Sequence, residues 1–454
     1  MFRFLHIADV HLGKHQHQSD ARYGDYFAAL TSVVEYALRE QVDTLLIAGD
    51  LFDEQEPSAE TIRRTAAALR PLREHGIPVH AIEGNHDRRK RSEPSCALDI
   101  LDGEGYLHLL RPVIADGKLA LPEYSSDEGG GRRLPADGVV IGGLGFLGHN
   151  AEDYHRQAAE LLPDDAFTIL LSHVMLQSGE QTLDYGCIAY EDIADLRERI
   201  GYLALGHRHT RVGLTGEMDG WVFNPGSLEF VNSLDYRLPP ELRGFLDVTV
   251  SDATEEDESN AEDPEVHTYR FRDRQVCVRH VETEKRPAYT LRPDITGCDS
   301  PASVIEAVRQ VAETELTQER RDRHPILVSR LQGTLALSRS RLPRAAMAAM
   351  LTEDFGALHV EVMDRDVLAP SDAGTLLLDS DDLEQVADRA RAVAADLLKA
   401  QGIAVGREDD LSAALIDMKS QLHGTAKSPS KEVLQGMRHQ LLPFVEFPEA
   451  EDDA

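Results

Sequence analysis

No stretch of this 454-residue sequence approaches the ~18 consecutive apolar residues of a membrane-spanning helix, although 42% of it is hydrophobic, enough for a substantial core. Cysteine is scarce. Cys96, Cys187, Cys277 and Cys298 show no C-x-x-C spacing, and they read as reduced, unlinked thiols. Basic residues are also few: 47 Lys+Arg stand against 80 Asp+Glu, a formal net charge of −33. Taken globally, that acidity argues against a nucleic-acid partner. A second reading is a surface adapted to high salt, in which case local charge says more about the ligand than the total does. The chain enters an apolar run at Phe2-Arg3-Phe4-Leu5 that leads directly to a candidate site residue. Loss of a cleaved signal there would remove the chemistry, so a cytoplasmic protein is expected. The length admits two to four domains.

What the sequence does contain is a set of apolar runs that each end in hard or imidazole ligands. Val42 to Ala48 is of strand length and leads into Gly49-Asp50-Leu51-Phe52-Asp53. Asp9 and His11 follow Phe2 to Ala8. Asn85, His86 and Asp87 follow Val79 to Ile82. His173 follows Phe167 to Leu171, and His207 and His209 follow Tyr202 to Leu205. Carboxylate oxygen and imidazole suit Mn, Fe and Zn. One Asp has two oxygens and can bridge two ions, and two ions about 3.5–4 Å apart can clamp both ends of a displacement at phosphorus. On a strict strand Asp9 and His11 would share a face.

The set D-x-H, GD, GNHD, H and GHxH, in this order, resembles the calcineurin-like metallophosphoesterases. Phe4 to Gly13 and Ala48 to Asp53 look like one branch of them, the nuclease subunit of the DNA double-strand-break repair complex, whose bacterial form is called SbcD. The resemblance covers roughly residues 1–230. It implies an α/β fold of two packed sheets flanked by helices. It implies that Asp9, His11 and His209 hold one divalent metal, that Asn85, His173 and His207 hold the other, and that Asp50 bridges. Mn2+ is the expected ion. His86, as the histidine of GNHD, is expected to protonate the leaving sugar oxygen. Asp87 could orient His86 or belong to a turn. Asp53 departs from archaeal and eukaryotic relatives, which have His there, and follows the bacterial group. His15 and His17 read as surface residues. Arg88, Arg89, Lys90 and Arg91 follow GNHD directly and form a candidate phosphate patch, with Arg132 and Arg133 as secondary candidates.

Along the chain, residues 26–40 carry a helical apolar stripe, and Ser58 is positioned to cap a helix reaching about Arg73. Residues 123–138 read as a surface loop, and Asn224-Pro225-Gly226-Ser227 as a turn. The phosphoesterase domain is taken as 1–250, the acidic run 251–265 as a loop or linker, and 266–370 as a small α/β capping domain. Residues 380–447 carry three apolar stripes at helical spacing. They form either a helical pair packed on the module before them or, as the resemblance implies, a docking element for an SbcC-type coiled-coil ABC ATPase. The reading is a metal-dependent DNA exonuclease and endonuclease that forms a homodimer. The alternative is a phosphodiesterase for small nucleotides or phosphoproteins. Residues beyond the catalytic domain argue against that alternative.

Overall fold

The computed structural model describes residues 1–90, 92–148, 151–178, 186–214, 217–233, 235–237, 239–253 and 266–368. The described residues fall into two units, one of residues 1–293, 305–331 and 344–364, the other of 294–304, 332–343 and 365 onward. The expected helical region 380–447 and Arg91 lie outside the described residues.

In chain order the first unit opens with β1 (Phe2–Ile7), α1 (Asp20–Glu40), β2 (Thr44–Ile47), α2 (Ala59–Glu74), β3 (Val79–Ala81), α3 (Ala97–Gly103) and β4 (His108–Leu109). A hairpin of β5 (Val113–Ala115) and β6 (Lys118–Ala120) follows, then β7 (Arg132–Ala136), β8 (Val139–Gly143), α4 (Ala151–Leu161) and β9 (Phe167–Ser172). The short β10 (Met175–Gln177) and β11 (Cys187–Ala189) pair with each other before β12 (Tyr202–Leu205), β13 (Val222–Phe223), β14 (Gly244–Asp252), β15 (Val266–Phe271) and β16 (Arg274–Glu282).

Two sheets dominate. One runs β15-β16-β14-β1-β2-β3-β4 and the other β13-β12-β9-β8-β7. The strands β2, β3, β8, β9 and β12 are buried throughout, since each sheet is covered on both faces there. Phe4, Leu46, Val248 and Val278 of the first sheet pack against Ile141, Ile169, Tyr202 and Phe223 of the second. Alternate residues of β1, Leu5 and Ile7, turn the other way, onto Leu30, Val33 and Val34 of α1 and Leu69 and Leu72 of α2. Ala158 and Ala159 of α4 cover the outer face of the second sheet with Val140, Leu170 and Leu203. The result is helix, sheet, sheet, helix. Ser58 does cap α2, its side chain accepting the Thr61 N–H at 3.1 Å.

Two expectations differ from this architecture. Residues 123–138 are not all loop: Arg132–Ala136 pairs with β8 in the second sheet, and Tyr124 is buried in the core between the sheets. The sheet also continues past the acidic run. β16 lies antiparallel to β14 with Val248 opposite Val278, and β15 lies on β16. Val276 and Val278 face the inter-sheet core, so 266–282 is bound to the first sheet by burial. Residues 254–265 lie outside the described part.

Beyond it come β17 (Ala288–Leu291), α5 (Pro301–Glu315), α6 (Gln318–Asp322), β18 (Ile326–Thr334), α7 (Arg344–Phe355) and β19 (His359–Leu368), with strand order β17-β18-β19. In the first unit Ile326 and Val328 pack on Phe230 and Tyr236. The second unit is held by backbone bonds such as Ile295 N–H to the Gln332 carbonyl at 2.9 Å and Leu335 N–H to the Leu368 carbonyl at 2.8 Å. No described helix is long and apolar enough to cross a membrane.

Candidate metal centre

The loops that carry the candidate ligands leave the C-terminal ends of β1, β2, β3, β9 and β12, which lie side by side in the two sheets. Parallel pairing sets them level: β1 on β2, β2 on β3, β12 on β9. Asp9 and His11 do not continue the strand. β1 ends at Ile7, and both residues have φ of 52°, as does Asp50, while His207 has φ of 81°. Left-handed backbone at non-glycine residues costs energy and persists only where the surroundings enforce it. Here it aims these side chains at one point.

At that point the seven residues expected as ligands meet. Asp50 Oδ2 lies 3.2 Å from His173 Nε2 and 3.8 Å from His11 Nε2, between the two sides. On one side Asp9, His11 and His209 cluster, with the His11 and His209 rings 5.2 Å apart. On the other, Asn85 Oδ1 lies 3.1 Å from His173 Nε2 and 2.9 Å from His207 Nδ1. Asp9, His11, Asp50 and His173 are almost fully buried. Charge interacts strongly at such depth. Burial disfavours both charges, yet Asp50 raises His173 to about 9, while His173 and His11 hold the Asp50 carboxyl below the usual range. Burial and the His173 charge bring His207 down to about 4, so the histidines do not titrate alike.

The donor set fits hard cations. His11 Nε2 is buried with no hydrogen-bond partner, an arrangement that costs energy unless something accepts its lone pair. Its other nitrogen donates to Asp53 Oδ1 at 3.0 Å, which fixes the tautomer. His173 Nδ1–H donates to the Ala48 carbonyl at 2.7 Å and leaves Nε2 facing Asp50 and Asn85. The site therefore offers ligands for two divalent cations. Its motif glycines are required by closeness: a Cβ on Gly84 would stand 2.0 Å from Asp50 Oδ1, and one on Gly49 would stand 2.3 Å from His173 Nδ1.

His86 sits at the open side. Its backbone N–H donates to Asp50 Oδ1 at 2.8 Å, its Nδ1–H to the Asp53 carbonyl at 2.8 Å, and its ring lies 4.9 Å from that of His11. Asp87 does not orient it. The Asp87 carboxylate accepts the N–H groups of Gly84, Leu51 and Phe52, tying the two central motifs together, and burial followed by the Asp50 charge raises it to about 7.

The cationic loop divides. Arg88 lies over the Phe146 ring at 5.4 Å, and that ring is 5.6 Å from His207. Lys90 pairs with Glu56 at 2.5 Å, and Arg89 donates to the Pro94 carbonyl at 3.1 Å. Arg132 and Arg133 are on β7, where Arg133 lies over Tyr124 at 5.2 Å. His15 is exposed; His17 is half-buried and stacked on His359 at 3.4 Å, because β19 covers it.

Sequence reasoning missed the groups behind the candidate ligands. Asp53 also takes the Lys14 ammonium at 2.8 Å. Asp235 Oδ2 lies 3.7 Å from His209 Nδ1, and its Oδ1 lies 2.9 Å from the buried Arg243 guanidinium. Asp53 is three residues after Asp50 and was visible as a departure. Asp235 has no local signal, since only the fold brings it to His209.

The family model of the calcineurin-like phosphoesterases matches residues 2–211. That stretch is a calcineurin-like phosphoesterase domain. This chain is also similar to curated proteins named DNA double-strand break repair protein Mre11. It is 30% identical to that of Saccharolobus solfataricus over 249 residues, 54% of this chain and 58% of the relative. It is 33% identical to that of Archaeoglobus fulgidus over 243 residues, half of each chain. This chain thus spans about half the length of the curated relatives it matches. A solved dimetal phosphatase from Danio rerio aligns with 62% of this chain and 98% of its own, at 16% identity and a TM-score of 0.37.

Proposed function

We propose that this protein is a Mn2+-dependent DNA nuclease that hydrolyses phosphodiester bonds at broken ends, in the cytoplasm, as a homodimer working with a coiled-coil ABC ATPase. The observation that carries the reading is Asp50 set between two buried ligand clusters, with His86 on the open side. Asp9, His11 and His209 would hold one ion, Asn85, His173 and His207 the other, and Asp50 both. The ions supply charge neutralisation at the phosphate and an acidified water. Asp53 and the Ala48 carbonyl keep His11 and His173 in the tautomers that present Nε2. His86, anchored through Nδ1 by the Asp53 carbonyl, keeps Nε2 for handing a proton to the leaving oxygen. Arg88 is the loop cation placed to meet a phosphate. The similarity to DNA double-strand break repair proteins supports DNA as substrate, and a cap beginning after β16 and residues 380–447 as the ATPase-docking region accord with it.

The test is hydrolysis by the purified protein with Mn2+ of linear duplex and single-stranded DNA beside bis(p-nitrophenyl) phosphate. Cleavage of DNA is expected. Hydrolysis of the small ester alone sinks the nuclease reading in favour of a small-substrate phosphodiesterase.

A further inference from the structure

A half-buried carboxylate stands at the root of the loop that carries Asn85, His86 and Arg88. Glu83 Oε1 accepts the Arg89 N–H at 2.9 Å, closing the chain on itself, and takes the Arg111 guanidinium at 2.8 Å. Arg111, just past β4, also donates to both oxygens of Asp99 in the first turn of α3, at 2.8 and 3.2 Å. One guanidinium therefore gathers the start and the end of the loop. Forked, charge-assisted contacts of this kind are among the strong polar ones. Glu83 is tied to the opposite wall as well: its carbonyl accepts the Phe146 N–H at 3.0 Å.

These bonds converge on Arg88. Its guanidinium lies over the Phe146 ring at 5.4 Å, and that ring is 5.6 Å from the His207 ring and 6.3 Å from the His173 ring. The ring contact alone is a weak hold, because it contributes less than the rotamer freedom that a fixed arginine gives up. Arg88 keeps its place only if the backbone beneath it is fixed. Glu83 fixes both halves of the pair, the residue after Arg88 through its carboxylate and Phe146 through its carbonyl. The next two cations of the loop are engaged elsewhere, Arg89 on the Pro94 carbonyl and Lys90 on Glu56.

We infer that Glu83, gripped by Arg111, is a positioning residue for Arg88, holding its guanidinium beside the His173 and His207 side of the metal centre, where it meets a non-bridging oxygen of the substrate phosphodiester. The inference rests on the reading of Arg88 as a phosphate contact and deepens it.

The test is a double-mutant cycle in the full-length protein with Mn2+, on a single-stranded oligonucleotide and on bis(p-nitrophenyl) phosphate. Arg88→Ala is expected to raise KM by about tenfold, the low end of what a hydrogen bond to a charged group contributes. Glu83→Ala should raise KM by most of that factor with kcat and Mn2+ content as in the wild type. In the Arg88→Ala background it should add nothing, because both changes remove one contact. Glu83→Gln keeps an oxygen for the Arg89 N–H and should recover part of the loss. Arg111→Lys leaves the loop sequence intact but cannot hold Glu83 and Asp99 in one fork, so it should raise KM in the same way. An unchanged KM in Glu83→Ala or Arg111→Lys, or factors that multiply with that of Arg88→Ala, overturns the positioning role while the nuclease reading stands. Loss of Mn2+ or a fall in kcat also overturns it, since Glu83 would then support Asn85 or His86 instead. A wild type that cleaves only the small ester sinks the nuclease reading, and the cycle on that ester then decides the role of Glu83 by itself.

Discussion

His11 donates its Nδ1–H to Asp53 at 3.0 Å, and Lys14 donates to the same oxygen at 2.8 Å. Burial disfavours the Asp53 charge, but these two donors hold its carboxyl below the usual range. The pairing fixes the His11 ring so that its orphaned Nε2 faces Asp50. A carboxylate behind a ligating histidine typically accounts for 10–100-fold in metal affinity. Asp53→Ala is therefore expected to weaken Mn2+ binding by about that factor, with Asp53→Asn recovering part of it. Titration of the chelated protein with Mn2+, followed by electron paramagnetic resonance, measures this. Unchanged affinity would make Asp53 a partner of Lys14 only.

His86 separates binding from chemistry. It contacts Asp50 through its backbone and Asp53 through Nδ1, and its ring is exposed. His86→Ser should keep both ions and slow cleavage by roughly 10²–10⁴, the usual worth of general acid–base help. Metal content and rate are measured on the same preparation. If ion content falls with the rate, His86 is a ligand and the proposed role is wrong.

How much of this was legible before the fold? The seven candidate ligand residues and their convergence were, because apolar strands ending in D-x-H, GD, GNHD, H and GHxH leave a local trace at each position. Alternating strands and helices argued for a layered α/β domain, and the resemblance supplied the two packed sheets. The backbone at Asp9 and His11 was not: strand periodicity puts both on one face, whereas the chain has already left β1 and turned left-handed. Nor was Asp235, which meets His209 only through the loop carrying Phe230 and Tyr236. The sheet-forming role of 266–282 was hidden because the acidic run before it looked like a boundary, and pairing of β16 with β14 is a long-range fact.

The cationic loop should not act as a block. Arg88 rests on Phe146 beside His207, whereas Lys90 is paired with Glu56. Arg88→Ala is expected to lower the slope of log affinity against log salt by about 0.7–0.9, one phosphate contact, and Lys90→Ala to leave it unchanged. DNA binding over a salt series reads both. Equal effects of the two would return the loop to a diffuse field.

His155 gives a pH dependence with a fixed sign. It is buried in α4, donates Nδ1–H to the Ala151 carbonyl at 2.5 Å, and burial lowers its pKa to about 4. Between about 6.5 and 4 the unfolded chain takes up a proton at this residue and the folded chain does not. Stability is thus lost as pH falls through that window, by ~1.4 kcal/mol per pH unit. His155→Leu should remove that loss. Denaturant titrations of the chelated proteins at pH 7 and 5 compare the two, and a stability difference that stays constant with pH refutes the assignment.

The last prediction disables the centre without touching a ligand. Gly84 lies beside Asp50 so closely that an added Cβ would stand 2.0 Å from Oδ1 and 2.4 Å from the Asp50 backbone nitrogen. Neither atom can retreat freely. The nitrogen belongs to backbone already at φ of 52°, and Oδ1 accepts the His86 N–H at 2.8 Å. The Gly84 N–H is itself held by Asp87 at 2.7 Å, so the glycine cannot back away either. In Gly84→Ala the Asp50 carboxylate must therefore move away from the line between His11 and His173. The expected result is loss of at least one of two bound Mn2+ ions by elemental analysis and loss of hydrolysis, with the fold retained by circular dichroism. Gly103→Ala is the control, since a Cβ there meets nothing within 4 Å. Full occupancy of both ions in Gly84→Ala would show that Asp50 does not need this position, and the bridging role would fall with it.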